Sequence, residues 1–220
     1  GCMTKDDPYY ISAIGALGEG SSNNLSKDTD LALAVGTKLA DFTTGSWANF
    51  ENPNFKLISV NTARYDTTKH LATPVISDAK VGLLQISEAL GDWRAPDTWY
   101  QRAIKERDGW EAYVAKQSGP TNQEEPSYAH AVGAIYRNSD PSDIVVTAAG
   151  GLVGEVVQVW KPKELNTFET EWGFSCMGYE ISGALGIKMA KPDQDVVVFV
   201  GDGSYLLNNS DIYSSVLYLS

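Results

Sequence analysis

The sequence predicts an α/β protein built from parallel sheets flanked by helices. A Rossmann-like central domain spans residues 1–95, a helical connector 96–140, and the start of a second α/β domain 141–220. Two observations predict this. Short apolar runs alternate with stretches of helical periodicity, as expected of parallel strands covered on both faces. In the last third, "DIVVTAAGG" and "VVVFVGDGS" each carry a buried apolar run into a glycine turn. In open parallel sheets that edge is where ligands sit. With 220 residues, 43% hydrophobic and 20% charged, the chain has ordinary globular composition and can bury a sizeable core.

The elements follow in order. "GALGEGSSNN" (15–24) reads as a glycine-rich loop, with no strand directly before it to complete a dinucleotide fingerprint. Asn23 and Asn24, ahead of Leu25, are candidate caps for a short helix. "DLALAVGTKL" (30–39) is a strand ending at Gly36, and "FKLISVNTA" (55–63) a second strand with polar Asn61 at its end. "PVISDAKVGLLQISEAL" (74–90) gives a short strand and a helix whose Val81, Leu84, Ile86 and Leu90 fall near one face. In the connector, "APDTWYQRAIKERDGWEAYVAK" (95–116) is helical around Trp99, Ile104 and Trp110. "QSGPTNQEEP" (117–126) is a linker, and "SYAHAVGAIYRNS" (127–139) is a helix with Ser127 as its cap. In the last third, Ile144 to Val146 form a strand with Gly150 and Gly151 beyond its end. "FSCMGYEISGALGIKMAK" (174–191) is a helix rich in small residues, where Gly178, Ser182, Gly183 and Gly186 permit close approach. Residues 195–219 read as strand, turn and helix.

Acids outnumber bases 28 to 17, a net charge of −11, which argues against nucleic acid as partner. Two cysteines, Cys2 and Cys176, fit neither a metal spacing nor a disulfide framework, so a reducing cytoplasm is expected. No apolar run is long enough for a membrane span, and the opening residues lack the apolar centre of a signal peptide.

The Gly-Asp-Gly-Ser turn carries the chemistry. Glycine on each side of Asp202 removes Cβ bulk, so backbone N–H groups can approach an anion. The following helix, expected to start near Ser204, offers its positive end to phosphate. An acid there repels phosphate unless a cation stands between them, and Mg²⁺ takes carboxylate and phosphate oxygens together. Asp202 is therefore the candidate metal ligand, with Gly201, Gly203 and Ser204 beside it. A tight turn with a solvated aspartate is the alternative.

The stretch resembles the start of the cofactor motif of thiamine-diphosphate enzymes, the acetolactate synthase and pyruvate decarboxylase superfamily, in which GDG is followed later by Asn. The resemblance implies thiamine diphosphate and Mg²⁺ as cofactors, with Asp202 on the metal. The partner ligand would fall past Ser220, since Asn208 and Asn209 stand too close to Asp202. Met177-Gly178, 25 residues before Asp202, matches the family's methionine wedge beneath the bent cofactor. "FSCMGYE", "VGDGSYL", "DIVVTAAGG", "AVGTKLADFTT" and "NTARYDTTKH" are most similar to the trihydroxycyclohexane-dione hydrolases of myo-inositol catabolism. What that similarity implies is hydrolytic carbon–carbon cleavage of a cyclic 1,2-dione to a 5-deoxyglucuronic acid. It also implies a homo-oligomer with the cofactor at a subunit interface, bound by Met177, Gly178, Gly150, Gly151, Gly201, Asp202, Gly203 and Ser204. Residues 141–220 then begin the domain that binds the pyrophosphate.

The family's cofactor-activating glutamate belongs to an N-terminal domain that this chain does not contain, and neither Glu171 nor Glu180 matches it by motif. Only two strands are clear in the last third, too few to bury such apolar runs. The chain is therefore expected to be a piece of a larger enzyme, inactive alone. Other readings stay open: an acetolactate synthase or 2-oxoacid decarboxylase, or a non-catalytic module binding nucleotide or thiamine. His70 and His130 read as solvated, Cys176 as a packed thiol, and Lys161 and Lys163 as a solvated turn around Pro162. Trp172 and Phe174 either wall the site or simply pack, and Thr147 is a weak candidate donor to phosphate.

Overall fold

The computed structural model describes residues 3–171 and 173–219, without the side chains of 218 and 219. Cys2 and Trp172 therefore lie outside the described residues. The chain forms two compact units, residues 11–110 and residues 1–10 together with 111–220.

The unit of residues 11–110 is built on three parallel strands in the order β1-β2-β3: β1 (Leu31–Val35), β2 (Lys56–Asn61) and β3 (Thr73–Ile76). Gly36 ends β1 with a φ of +66°, a left-handed turn that favours glycine. Asn61 ends β2, its side chain accepting from the Ala63 N–H at 3.0 Å and donating to the Thr37 carbonyl at 3.3 Å. Ala34, Leu39 and Leu57 form the core, with Trp47 and Phe55 packed against it.

Two local expectations change here. Residues 20–28 form a helix, α1, and Asn23 sits inside it rather than capping it. Asn23 instead binds both the N–H and the carbonyl of Gly15, at 2.8 and 2.9 Å, and so fastens the preceding loop. The short helices α2 (Asp41–Thr44) and α3 (Arg64–Thr68) follow β1 and β2. The helix after β3, α4 (Ala79–Leu90), starts at Asp78, whose carboxylate accepts from Lys80 and Val81. Its apolar face does not pack as the periodicity predicts: Val81, Leu84 and Leu90 are exposed. Gly82 makes the contact with the sheet, because a Cβ there would lie 2.8 Å from Val60.

Helix α5 (Asp97–Gln117) runs from one unit into the other. Helix α6 (Tyr128–Arg137) opens with Ser127 as its cap, and His130 completes a capping box. His130 is thus not merely solvated: its Nδ1 accepts the Ser127 N–H at 3.2 Å. Ser127→Ala is expected to lower stability by about 1 kcal/mol, measured by urea unfolding. Lys163 is likewise held, donating to the Ser139 carbonyl at 3.1 Å with its ammonium 4.9 Å from the Tyr136 ring.

The second sheet has the order β5-β4-β6, all parallel: β4 (Ile144–Thr147), β5 (Phe168–Thr170) and β6 (Val196–Val198). It has three strands where the sequence showed two. β5, "FET", is short, with one apolar residue in three, and it is held by pairing with β4. The connections are α7 (Gly151–Val159), α8 (Tyr179–Ala190) and the closing α9 (Asp202–Leu219). Ile144 and Val146 pack on Ala184 and Ile187 of α8. On the opposite face Val197 lines a cavity of about 440 Å³ together with Ala134 and Ile135 of α6, while Trp160, after α7, lies 5.9 Å from the Phe199 ring. The chain leaves β4 toward β5 and returns across it to β6, so the order switches direction at β4. Among the described residues, no helix is long and apolar enough to cross a membrane.

Candidate cofactor site at the switch of the second sheet

Parallel strands bring three loops to one edge of this sheet: 148–150 after β4, 171–178 after β5, and 199–201 after β6. A crevice at a switch point forms because neighbouring loops turn to opposite faces. Here the loop after β4 leads into α7 and the loop after β6 into α9, which packs on α8.

Gly150 has a φ of +87°, and a Cβ on Gly150, Gly151 or Gly201 would meet nothing within 4 Å. These three glycines border open space, so a ligand can come against the main chain. Asp202 is the first residue of α9 and is exposed, its Oδ1 accepting the Gly203 N–H at 2.8 Å. Ser204 is buried one turn in. Gly203 faces Met177: a Cβ there would lie 2.8 Å from the methionine methyl. Met177 is 50% exposed, so one side of it touches the Asp202 turn while the other is open. The structure thus brings Met177, Gly178 and the Gly201–Ser204 turn together, with Gly150 and Gly151 on the adjacent loop.

Asn208 makes this proximity rigid. It interrupts α9 with non-helical angles and donates to the Gly178 carbonyl at 3.2 Å and to Ser182 Oγ at 2.8 Å. Ser182 in turn donates to Asp211 at 2.6 Å. These bonds tie the Met177–Gly178 loop to the helix that carries Asp202.

Two carboxylates missed by sequence reasoning hold the amides on either side of Met177. Glu171 accepts from Phe174 at 2.9 Å and Cys176 at 2.8 Å. The N–H donors of Cys176 and then Phe174 hold its carboxyl below the usual range. Glu180, fully buried, accepts from Gly178 at 2.9 Å and from Ala149 at 3.2 Å. Nothing in the motif signals this, since an acid in a helix's first turn is ordinary. Cys176 is a free, exposed thiol rather than a packed one. Crowding of the sulfur and the Glu171 charge raise its pKa, which disfavours a nucleophilic thiolate. Phe174 is exposed. The hydroxyls of Thr147 and Thr170, register partners at the ends of β4 and β5, are buried without a hydrogen-bond partner.

The donor set suits a magnesium diphosphate: open glycine backbone, two helix starts and one exposed carboxylate. Among the described residues no cluster of three or more His, Cys, Asp or Glu forms. Two cavities of about 440 and 450 Å³ lie elsewhere, one beside Val197 and α6, the other around Trp47, Phe55 and His70 in the first unit. The exposed His70 ring lies 4.2 Å from the Trp47 ring, tilted by 56°.

Comparison with known proteins gives the family. Residues 148–218 match the family model described as the C-terminal TPP binding domain of thiamine pyrophosphate enzymes, and residues 1–86 match their central domain. A protein of Geobacillus thermodenitrificans named 3D-(3,5/4)-trihydroxycyclohexane-1,2-dione hydrolase is 32% identical over 98% of this chain and 37% of its own length. Proteins of the same name from Clostridium tetani and Lacticaseibacillus casei are 34% and 32% identical over 94% and 98% of the chain. The chain spans little more than a third of these relatives, 36% and 37% of their length.

Proposed function

From a chain that belongs to the thiamine pyrophosphate enzymes, matching their central and C-terminal domains, we propose a part of a hydrolase that cleaves a carbon–carbon bond of a cyclic 1,2-dione. The product is a 5-deoxyglucuronic acid. One observation carries the cofactor reading: the Met177 methyl lies against Gly203, beside the acid of the Gly-Asp-Gly turn.

When bound, thiamine diphosphate supplies a nucleophilic carbon and an electron sink for the bond that breaks. Asp202 would hold Mg²⁺ against the diphosphate. Gly150, Gly151, Gly201, Gly203 and Ser204 would give the phosphates main-chain access and helix N-termini. Met177 and Gly178 would pack against the cofactor's rings, a contact that a thioether suits. Glu171 and Glu180 are committed to backbone N–H groups, which supports an activating carboxylate supplied from outside this chain. The exposed Met177, Phe174 and Leu206 support a cofactor shared with a second copy in a homo-oligomer. The free Cys176 fits the cytoplasm.

The name of these relatives carries the substrate reading. The intact protein, supplied with thiamine diphosphate and Mg²⁺, is expected to open trihydroxycyclohexane-1,2-dione and to leave pyruvate unchanged. Release of CO₂ or acetolactate from pyruvate, with the dione untouched, would place it instead with the decarboxylases and acetolactate synthases.

A further inference from the structure

We propose that Glu180 is a positioning residue that sets the Met177–Gly178 loop against the loop after β4. The proposal rests on the thiamine diphosphate reading and deepens it. A carboxylate with no exposed surface is costly unless its oxygens find donors. Glu180 has none of its surface exposed, and both its oxygens are used. Oε2 accepts the Gly178 N–H at 2.9 Å, and Oε1 accepts the Ala149 N–H at 3.2 Å. Capping of α8 explains the first bond alone. Ala149 lies 31 residues earlier, on the loop that follows another strand.

One buried anion therefore joins two of the three loops at the sheet edge. Gly178 follows Met177, whose methyl meets Gly203. Ala149 precedes Gly150, whose positive φ turns the main chain into α7. Through Glu180 the two loops keep a fixed spacing, and Asn208 fixes the second of them to α9. Glu180 also occupies the Gly178 and Ala149 amides, so a diphosphate must take its N–H bonds from other residues of these loops. Hydrogen bonds of this kind are charge-assisted and stronger than neutral ones.

The test is Glu180→Gln in the intact protein, which keeps the shape and one acceptor oxygen but turns an NH₂ group toward a donor. Two measurements are made: hydrogen–deuterium exchange of peptides covering Ala149 and Gly178 without cofactor, and thiamine diphosphate affinity with Mg²⁺. Faster exchange at one or both loops and an affinity lower by about 10-fold or more are expected, together with a melting temperature of the cofactor-free protein that falls by several degrees, because a buried donor is left facing a donor. Faster exchange with wild-type affinity would show a merely structural tie and overturn the proposal, as would unchanged exchange. If the variant fails to fold, wild-type exchange decides: both amides are expected to be protected without cofactor, and unprotected exchange at either one overturns the bridge. Wild-type protein that binds no thiamine diphosphate sinks the cofactor reading and this proposal together, and the wild-type arm alone reveals that case.

Discussion

Alanine in place of Asp202 is expected to abolish the metal-dependent part of the proposed thiamine diphosphate binding. Losing an outer-shell partner of a metal ligand typically costs 10- to 100-fold in affinity, so loss of a direct ligand is expected to cost about 100-fold or more. The fold should hardly notice. Asp202 is exposed, and its carboxylate accepts the neighbouring Gly203 N–H at the start of α9. That position contributes about 1 kcal/mol at most. Calorimetric titration with and without Mg²⁺ separates the outcomes, with a chelator as control. The variant should bind as weakly in Mg²⁺ as wild type does in chelator, at an unchanged melting temperature. A variant that binds as wild type does would remove the metal from the site.

Alanine at Gly178 has the largest expected effect on stability. Gly178 has a φ of +96°, and a Cβ there would lie 2.9 Å from Asn208 Cγ. A side-chain end can often yield, but this one is held by bonds to the Gly178 carbonyl and Ser182. Backbone strain of about 1–3 kcal/mol adds to a damaged hydrogen-bond pair of about 1 kcal/mol or more. For a unit of this size the melting temperature should fall by about 10 °C or more. Gly186 is the internal control. It lies in the same helix, where a Cβ would meet nothing, so Gly186→Ala should stabilise by about 0.5–1 kcal/mol. Differential scanning calorimetry of both variants reads the two signs. Equal effects would mean that Asn208 does not grip Gly178.

Much of this architecture was legible because parallel strands write apolar runs that stop at glycine. Ile144–Val146 and Val196–Val198 were found that way, and so were the turns at Gly150 and Gly201. β5 was not, since "FET" has one large apolar residue and draws its order from β4. Helix α1 hid behind glycine, serine and asparagine, poor helix formers; it forms because Ser21, Ser22, Leu25 and Ser26 are buried. The proximity of Met177 to the Asp202 turn followed from spacing within a known motif. What holds them together did not. Glu180, Glu171 and Asn208 are polar residues of ordinary types, and their partners are main-chain groups brought near only by the fold.

The three edge loops, 148–150, 171–178 and 199–201, and the first residues of the helices that follow the first and third of them contain no lysine or arginine, while they carry Glu171 and Asp202. A pyrophosphate bound there as proposed would meet main-chain dipoles and no positive side chain of these segments. Entry of anion and cation together, as a neutralised pair, is the expected consequence.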